Sequence, residues 1–183
     1  YNALAALACG LSLGIALKDA AAPLRCVQGV KGRVEVVPVP TAYTVIIDYA
    51  HTPDALENIL FTARAFTPGR LFCLFGRGGD RDRAKRPLMG AVAGELADVA
   101  VVTSDNPRTE EPMDIIREIL PGLEGARARV HVEPDRPAAI RWCLEQGEPG
   151  DVIVLAGKGH ETYQEVRGER RHLDEREGVA EYF

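Results

Sequence analysis

The sequence shows no excess of positive charge: 22 Lys and Arg stand against 27 Asp and Glu, a formal net charge of −5, with both signs mixed along the chain. A nucleic-acid surface normally shows a basic excess or stripe, so no nucleic-acid partner is expected. Cysteine is also scarce. Cys9, Cys26, Cys73 and Cys143 lie far apart and form no CxxC or Cys/His ligand spacing, which argues against a disulfide framework and a zinc site. Cys9, Cys73 and Cys143 have apolar neighbours and read as small buried hydrophobes. Nothing requires an oxidising compartment, and a cytoplasmic location is the expectation. The chain lacks a membrane span as well. Tyr1 to Leu17 is rich in small apolar residues, but at about 17 residues it is short for a bilayer, and Asn2, Gly10, Ser12 and Gly14 interrupt it. It has no charge before Lys18 and so lacks the basic start of a signal peptide. It reads as a buried helix belonging to a longer protein, of which this chain is a fragment.

What is present is an ordinary globular balance, 46% hydrophobic and 27% charged residues. The 183 residues suffice for one substantial domain and a short piece of another. Residues 3–17 read as an Ala/Leu-rich helix and Lys18–Leu24 as a second; the Gly29–Gly32 region breaks the pattern, and Arg33–Pro38 alternates as a strand. Short apolar runs then alternate with helical segments. Strands are predicted at Thr44–Asp48, Leu71–Phe75, Val99–Thr103, Arg129–Glu133 and Val152–Ala156. Helices are predicted at Pro53–Ala65, Arg86–Leu96, Pro112–Leu123 and Arg136–Gln146. This alternation indicates an α/β fold, Rossmann-like, with a mostly parallel sheet covered by helices on both faces. The tail Gln164–Arg171 reads as a hairpin turning at Arg167-Gly168-Glu169, and Asp174 as the cap of a last helix to Tyr182.

In such sheets ligands bind at the carboxyl ends of the strands. Here those ends lead into Tyr49-Ala50-His51-Thr52-Pro53-Asp54, Gly76-Arg77-Gly78-Gly79-Asp80-Arg81, Ser104-Asp105-Asn106-Pro107-Arg108 and Gly157-Lys158-Gly159-His160-Glu161. Polar and charged residues thus gather on one rim. Neither glycine loop is a phosphate cradle: Arg81 takes the third glycine position of a GxGxxG fingerprint, and no Ser or Thr follows Lys158. The first loop fits either a solvated turn, with Asp80, Asp82 and Arg83 pairing among themselves, or a close backbone approach to a ligand whose carboxylate Arg81 grips. Turn chemistry explains Asp105, Asn106 and Pro107 but leaves Arg108 without a role. Glu161 is suited to an ammonium, and Asp48 to ribose hydroxyls. His51 and His160 carry no paired ligand that would mark a metal site. No GxSxG elbow supports hydrolase chemistry.

In order and spacing these loops resemble the C-terminal half of MurE-type Mur ligases. The resemblance rests on Asp48-Tyr49-Ala50-His51-Thr52-Pro53-Asp54, Gly78-Gly79-Asp80-Arg81-Asp82 with Lys85-Arg86-Pro87-Leu88-Met89, Asp105-Asn106-Pro107-Arg108-Thr109-Glu110-Glu111-Pro112 and Gly157-Lys158-Gly159-His160-Glu161. It covers about residues 30–183, and Tyr1-Asn2 with Leu4-Ala5-Ala6 resembles the end of the family's central ATPase domain. It implies domains at 1–32 and 33–183, and ATP-dependent amide formation through an acyl phosphate. It also implies an amino-acid pocket at Arg81, Asp105, Asn106, Pro107, Arg108, Gly157 and Glu161. Asn2, Arg33 and Asp48 match residues that touch the adenosine of ATP, and His51 lies in the same motif. The Asp-Asn-Pro-Arg run implies meso-diaminopimelate as the amino acid and UDP-MurNAc-dipeptide as its partner substrate. Lysine ends in a bare ammonium where diaminopimelate ends in a carboxylate, so an arginine there favours the latter.

Two residues depart from the family pattern: Ser104, where an Asp is frequent, and Arg77, where a small or apolar residue is usual. The family's P-loop, magnesium ligands, modified lysine and UDP-binding domain have no counterpart in these residues. The resemblance therefore implies that ATP and Mg2+ serve the full-length enzyme, a monomer, and that this part alone is inactive. A lysine-adding relative, another Mur-type ligase such as a folylpolyglutamate synthetase, and a non-catalytic nucleotide or amino-acid binding module remain as alternatives.

Overall fold

The computed structural model describes residues 2–27 and 29–183. Tyr1, the first residue of the resemblance, lies outside them. The chain divides into two compact units, Tyr1–Val30 and Lys31–Phe183. The first contains α1 (Asn2–Ser12), α2 (Leu17–Ala21) and a 3-10 turn at Pro23–Cys26. The helix predicted for 3–17 stops early, because Gly14 turns left-handed, φ +81, and the Ile15 N–H reaches back to the Gly10 carbonyl. The second ends before Leu24 because Pro23 offers no N–H and opens a tighter turn. The predicted burial is not found: within α1 only Gly10 is buried, and Leu4, Leu11 and Cys9 are exposed. Two short helices have too little facing surface to cover an Ala/Leu-rich stretch.

The second unit is built on a six-stranded sheet ordered β1-β2-β6-β3-β4-β5. Its strands are β1 (Glu35–Val37), β2 (Thr44–Asp48), β3 (Leu71–Phe75), β4 (Val99–Val102), β5 (Arg129–Val132) and β6 (Val152–Ala156). Only β1, an edge strand, runs antiparallel. The apolar runs of β2, β3, β4 and β6 exist because both faces are covered. Val45, Ile47, Phe72, Leu74, Ile153 and Leu155 join one core; Ile46, Cys73, Phe75, Val154 and Ala156 join the other.

Helices α3 (Pro53–Arg64), α4 (Lys85–Leu96) and α5 (Pro112–Ile119) supply one core, whereas α6 (Arg136–Gln146) and α7 (Glu175–Tyr182) supply the other. Chain direction explains the split. Crossovers from β2 through β5 step one way along the sheet, α6 steps back, and right-handed connections then fall on opposite faces. The return inserts β6 between β2 and β3, so a crevice opens at the carboxyl ends of β6 and β3. Helix α5 is shorter than predicted, because Pro121 ends its hydrogen-bonded run and Leu120–Leu123 tightens into a 3-10 turn. Thr52, Asp135 and Asp174 cap α3, α6 and α7 by accepting from backbone N–H groups. The hairpin forms from β7 (Tyr163–Val166) and β8 (Glu169–His172), with Arg167-Gly168 as its two-residue turn. No helix among the described residues is long and apolar enough to cross a membrane.

One buried pair joins the two cores at the rim. Arg136, 1% exposed, donates to Glu175 Oε1 at 2.9 Å, to the Ala156 carbonyl at 2.7 Å and to the Ser104 carbonyl at 3.2 Å. Burial pushes the Glu175 carboxyl pKa up, the arginine opposes that shift, and Oε2 has no hydrogen-bond partner. Truncation to Arg136→Ala should therefore lower the unfolding free energy by about 3–5 kcal/mol, read by urea denaturation, because Glu175 is left buried alone. Combining Arg136→Met with Glu175→Leu should recover only part of that loss, since two strand-end carbonyls still lack donors. Full recovery would show that those carbonyl contacts contribute nothing.

Candidate functional site

The loops after β2, β3, β4 and β6 enclose a cavity of about 280 Å³. Arg81 and Arg108 bring cations to its wall, Asp105 and Glu161 bring anions, and Asn106 and Gly157 stand between them. Pro107 stands apart from the other residues predicted for this pocket. It is buried behind the wall and fixes the turn through its carbonyl, which accepts from the Glu110 N–H at 3.0 Å.

Lys158 organises the floor. Its ammonium is fully buried and donates to Asn106 Oδ1 at 2.6 Å and the Tyr163 carbonyl at 2.7 Å, with Glu161 Oε2 and Asp105 Oδ1 each at 3.4 Å. Burial pushes its pKa down, and Asp105 and Glu161 oppose the shift. The Asn106 amide is thereby oriented: Oδ1 accepts from Lys158 and the Glu165 N–H, so Nδ2 donates to Glu161 Oε2 at 2.9 Å. Asp105 is 6% exposed, and its Oδ1 receives no hydrogen bond; the Lys158 contact has ion-pair distance without hydrogen-bond direction. A fixed carboxylate pair of this kind suits an ammonium.

Arg108 has a left-handed backbone, φ +53. It is held there by β7, with the Arg108 N–H on the Glu165 carbonyl at 3.0 Å and the Arg167 N–H on the Arg108 carbonyl at 2.6 Å. Its Nη1 donates to the Gly79 carbonyl at 2.8 Å, and Nε lies 3.6 Å from Glu165 Oε2. Nη2 has no protein hydrogen bond among the described residues. The glycine loop gives it room. A Cβ at Gly78 would lie 2.7 Å from Arg108 Nη1, and one at Gly79 would lie 1.9 Å from the Pro107 carbonyl. The predicted pairing of Asp80, Asp82 and Arg83 among themselves is not what forms. Asp80 accepts from the Thr109 hydroxyl at 2.6 Å, Asp82 from the Ala84 N–H, and Arg83 reaches Glu118. Arg81 is exposed and carries no protein hydrogen bond among the described residues.

Several participants had no role assigned from the sequence. Arg86, fully buried, grips Glu110 through both Nη atoms at 2.9 and 2.7 Å and reaches Glu118 at 2.7 Å. Glu110 in turn accepts from the Asp80 N–H at 2.7 Å, latching the glycine loop to the Asp105–Arg108 turn. Gln164 donates to Ser104 Oγ and the Asp105 carbonyl, at 2.6 and 2.7 Å. Ser104 is thus a packing residue behind the rim. Tyr49, Thr52, Arg77 and Lys85 also line the cavity. The available signal for Lys158 was a lone lysine between glycines after a wholly apolar strand, a position that burial would force to find partners.

The residues matched to a nucleotide are more dispersed. Asp48, 7% exposed, accepts from the Val34 N–H at 2.7 Å, and Arg33 lies 5.2 Å over the Tyr49 ring. His51 lines the same cavity as Arg81 and Arg108; its Nδ1 lies 2.9 Å from the Tyr49 carbonyl, which can only accept, so that nitrogen carries the proton. Asn2 opens α1 in the other unit and is exposed. Exposed Arg33 beside Tyr49 and Asp48 fits one side of a nucleoside. No group of three His, Cys, Asp or Glu that could hold a metal is found among the described residues.

An open α/β sheet with acids and guanidiniums gathered at its switch point defines a domain whose cavity is suited to a small zwitterion. The chain belongs to the Mur ligase family: residues 32–159 match the family described as Mur ligase, glutamate ligase domain. It is 53% identical over 176 residues to a UDP-N-acetylmuramoyl-L-alanyl-D-glutamate–2,6-diaminopimelate ligase of Chromobacterium violaceum, covering 93% of this chain and 35% of that one. A ligase of the same name from Thermosynechococcus vestitus is 52% identical over 178 residues, 96% of this chain and 36% of its own. A solved structure of a ligase so named superposes with a TM-score of 0.79 at 40% identity, over 98% of this chain and 37% of that chain. The chain thus spans about a third of the length of the curated relatives it matches.

The Glu110 latch has a measurable signature. The hydrogen bond from Arg86 holds its carboxyl at about 2, against an ordinary 4.5. A carboxyl depressed by folding contributes stability above its unfolded value, lost as pH falls through its folded one. Glu110→Gln should cost about 1–3 kcal/mol at neutral pH, and its deficit relative to the unsubstituted protein should shrink between about pH 4.5 and 2. Urea titrations at several pH values measure this, and a deficit independent of pH would refute the latch.

Proposed function

We propose that this chain is the amino-acid-binding part of an ATP-dependent ligase that joins meso-diaminopimelate to UDP-MurNAc-L-alanyl-D-glutamate during cytoplasmic peptidoglycan precursor synthesis. The observation that carries the reading is the convergence of Arg81, Asp105, Asn106, Arg108, Gly157 and Glu161 on one cavity. Diaminopimelate has two carboxylates and two amines. Arg81 and the uncommitted Nη2 of Arg108 suit the carboxylates, whereas Glu161 and Asp105, both on the cavity wall, suit an ammonium. Lysine would bring an ammonium against Arg108, at the cost of an unpaired charge. The relatives are named as 2,6-diaminopimelate ligases, which supports the same substrate.

In this reading residues 1–32 close the central domain and 33–183 form the C-terminal domain; the division of compact units at Val30 and Lys31 supports it. ATP supplies the phosphoryl group that activates the glutamyl carboxylate as an acyl phosphate. Asp48, Arg33 and His51 would hold the nucleoside side, and magnesium would be held by the rest of the enzyme. This chain's residues orient the amine. Once its ammonium proton has passed to solvent, the nitrogen attacks the acyl carbon and the C–N bond forms. Phosphate leaves with the electron pair of the broken C–O bond, and the nitrogen's second proton goes to that phosphate. The enzyme is taken to act as a monomer, without nucleic-acid or membrane partners.

The test is made in the full-length ligase by following ATP-dependent product formation with meso-diaminopimelate and with L-lysine. Discrimination by kcat/KM should be about 100-fold or more in favour of diaminopimelate. Arg108→Ala should lower the diaminopimelate value about 10- to 100-fold and leave the lysine value within about threefold. Selectivity unchanged by Arg108→Ala would defeat the substrate assignment, and equal use of lysine would favour a lysine-adding ligase.

A further inference from the structure

Four cationic side chains at the rim are almost wholly buried: Arg77 at 7% exposure, Arg136 at 1%, and Arg86 and Lys158 at 0%. Three of them face acids. Arg86 pairs with Glu110 and Glu118, Arg136 with Glu175, and Lys158 with Asp105 and Glu161. Arg77 is the exception. Nη1 donates to the His51 carbonyl, Nε is buried with no partner, and no carboxylate lies within 4.0 Å among the described residues. A buried guanidinium without a counter-ion is costly to keep. Its surroundings give a reason to keep it, because it lines the same cavity as Arg81, Arg108 and Lys85.

We propose that Arg77 is a further carboxylate anchor of this cavity, a specificity residue for the incoming dicarboxylic amino acid. The inference rests on the ligase reading above and adds a residue to it. Arg108 already uses Nη1 on the Gly79 carbonyl and turns Nε toward Glu165, so it offers a ligand only part of its fork. Arg77, a departure from the family pattern, adds a cation beside Arg81 and that remainder. Burial pushes the Arg77 pKa down; Asp105 and Asp82 draw it up from a distance, and Arg81 and Arg86 repel it. A ligand carboxylate between Arg77 and Arg81 would neutralise the repulsion and supply the missing counter-charge, received at Arg77 Nη2, which has no protein hydrogen bond among the described residues. The tie to the His51 carbonyl fixes the fork before the ligand arrives, which lowers the ordering cost of binding.

The full-length ligase serves as the test, with steady-state KM measured separately for meso-diaminopimelate, ATP and the UDP-linked dipeptide. Arg77→Ala should raise KM for diaminopimelate about tenfold or more while leaving the other two within about twofold. Arg77→Lys keeps the charge and should fall between the two. Arg77→Gln separates binding from scaffolding: it can still donate to the His51 carbonyl but has no charge, so it should behave as poorly as Arg77→Ala. An unchanged KM for diaminopimelate, rescue by glutamine, or a change in KM for ATP instead would each overturn the proposal. Should Arg77→Ala fail to fold, the Lys and Gln variants carry the same comparison. If the unsubstituted enzyme does not ligate diaminopimelate, the ligase reading falls and this inference falls with it. An active enzyme indifferent to Arg77 removes the inference alone.

Discussion

The Lys158 ammonium is the contact on which the rim of the sheet depends. It sits at the end of β6, the strand inserted between β2 and β3, where loops from several strands must meet. Those loops carry backbone carbonyls and acids that would otherwise be buried without partners. A fully buried cation donates to Asn106, Tyr163 and Glu161 at once and stands at ion-pair distance from Asp105. The orientation of the Asn106 amide and the position of the Glu161 carboxylate follow from that centre. Removing the charge would leave Asp105 and Glu161 facing each other across a low-dielectric floor, and mutual repulsion would open the loops.

Much of the fold can be read locally because a doubly covered parallel strand must be apolar at every position. Val152–Ala156 and Leu71–Phe75 are such runs, and each forms the strand predicted for it. Helix ends are less legible where proline decides between continuing and tightening, as at Pro121 and Pro23. The rim was legible as a place and a composition. Its wiring was not, since Glu110 to Arg86, Gln164 to Ser104 and Glu165 to Arg108 join residues far apart in sequence. The tail hairpin shows the limit most clearly. Its sequence predicts two strands and a turn, yet its contribution is to lie beside the Asp105–Arg108 run and hold it, a contact without local signal.

Gly78 and Gly79 show how the family's motifs depend on one another. They do not cradle a phosphate; they let one strand-end loop lie directly against another, at distances no side chain would allow. A substitution at either would push the Arg108 turn outward and shift its guanidinium, although neither glycine offers a side chain to a ligand. The motifs therefore form a single mechanical unit, joined also by Asp80 to Thr109 and by Glu110 to Arg86.

The backbone of Arg108 expresses this coupling as strain. A left-handed φ of +53 costs a non-glycine residue about 1–2 kcal/mol, and it persists only where surrounding contacts over-determine it. Two backbone hydrogen bonds from the β7–β8 hairpin do so. An extended backbone would relieve the strain but swing the side chain away from Gly79. The domain thus accepts local strain to hold a partly committed guanidinium at the cavity wall, with one nitrogen anchored and another open. Arg77 follows the same design, anchored on the His51 carbonyl and otherwise unpaired. On the proposed reading, selectivity for a dicarboxylic ligand would come from cations fixed before it arrives, each with a nitrogen left open at the cavity.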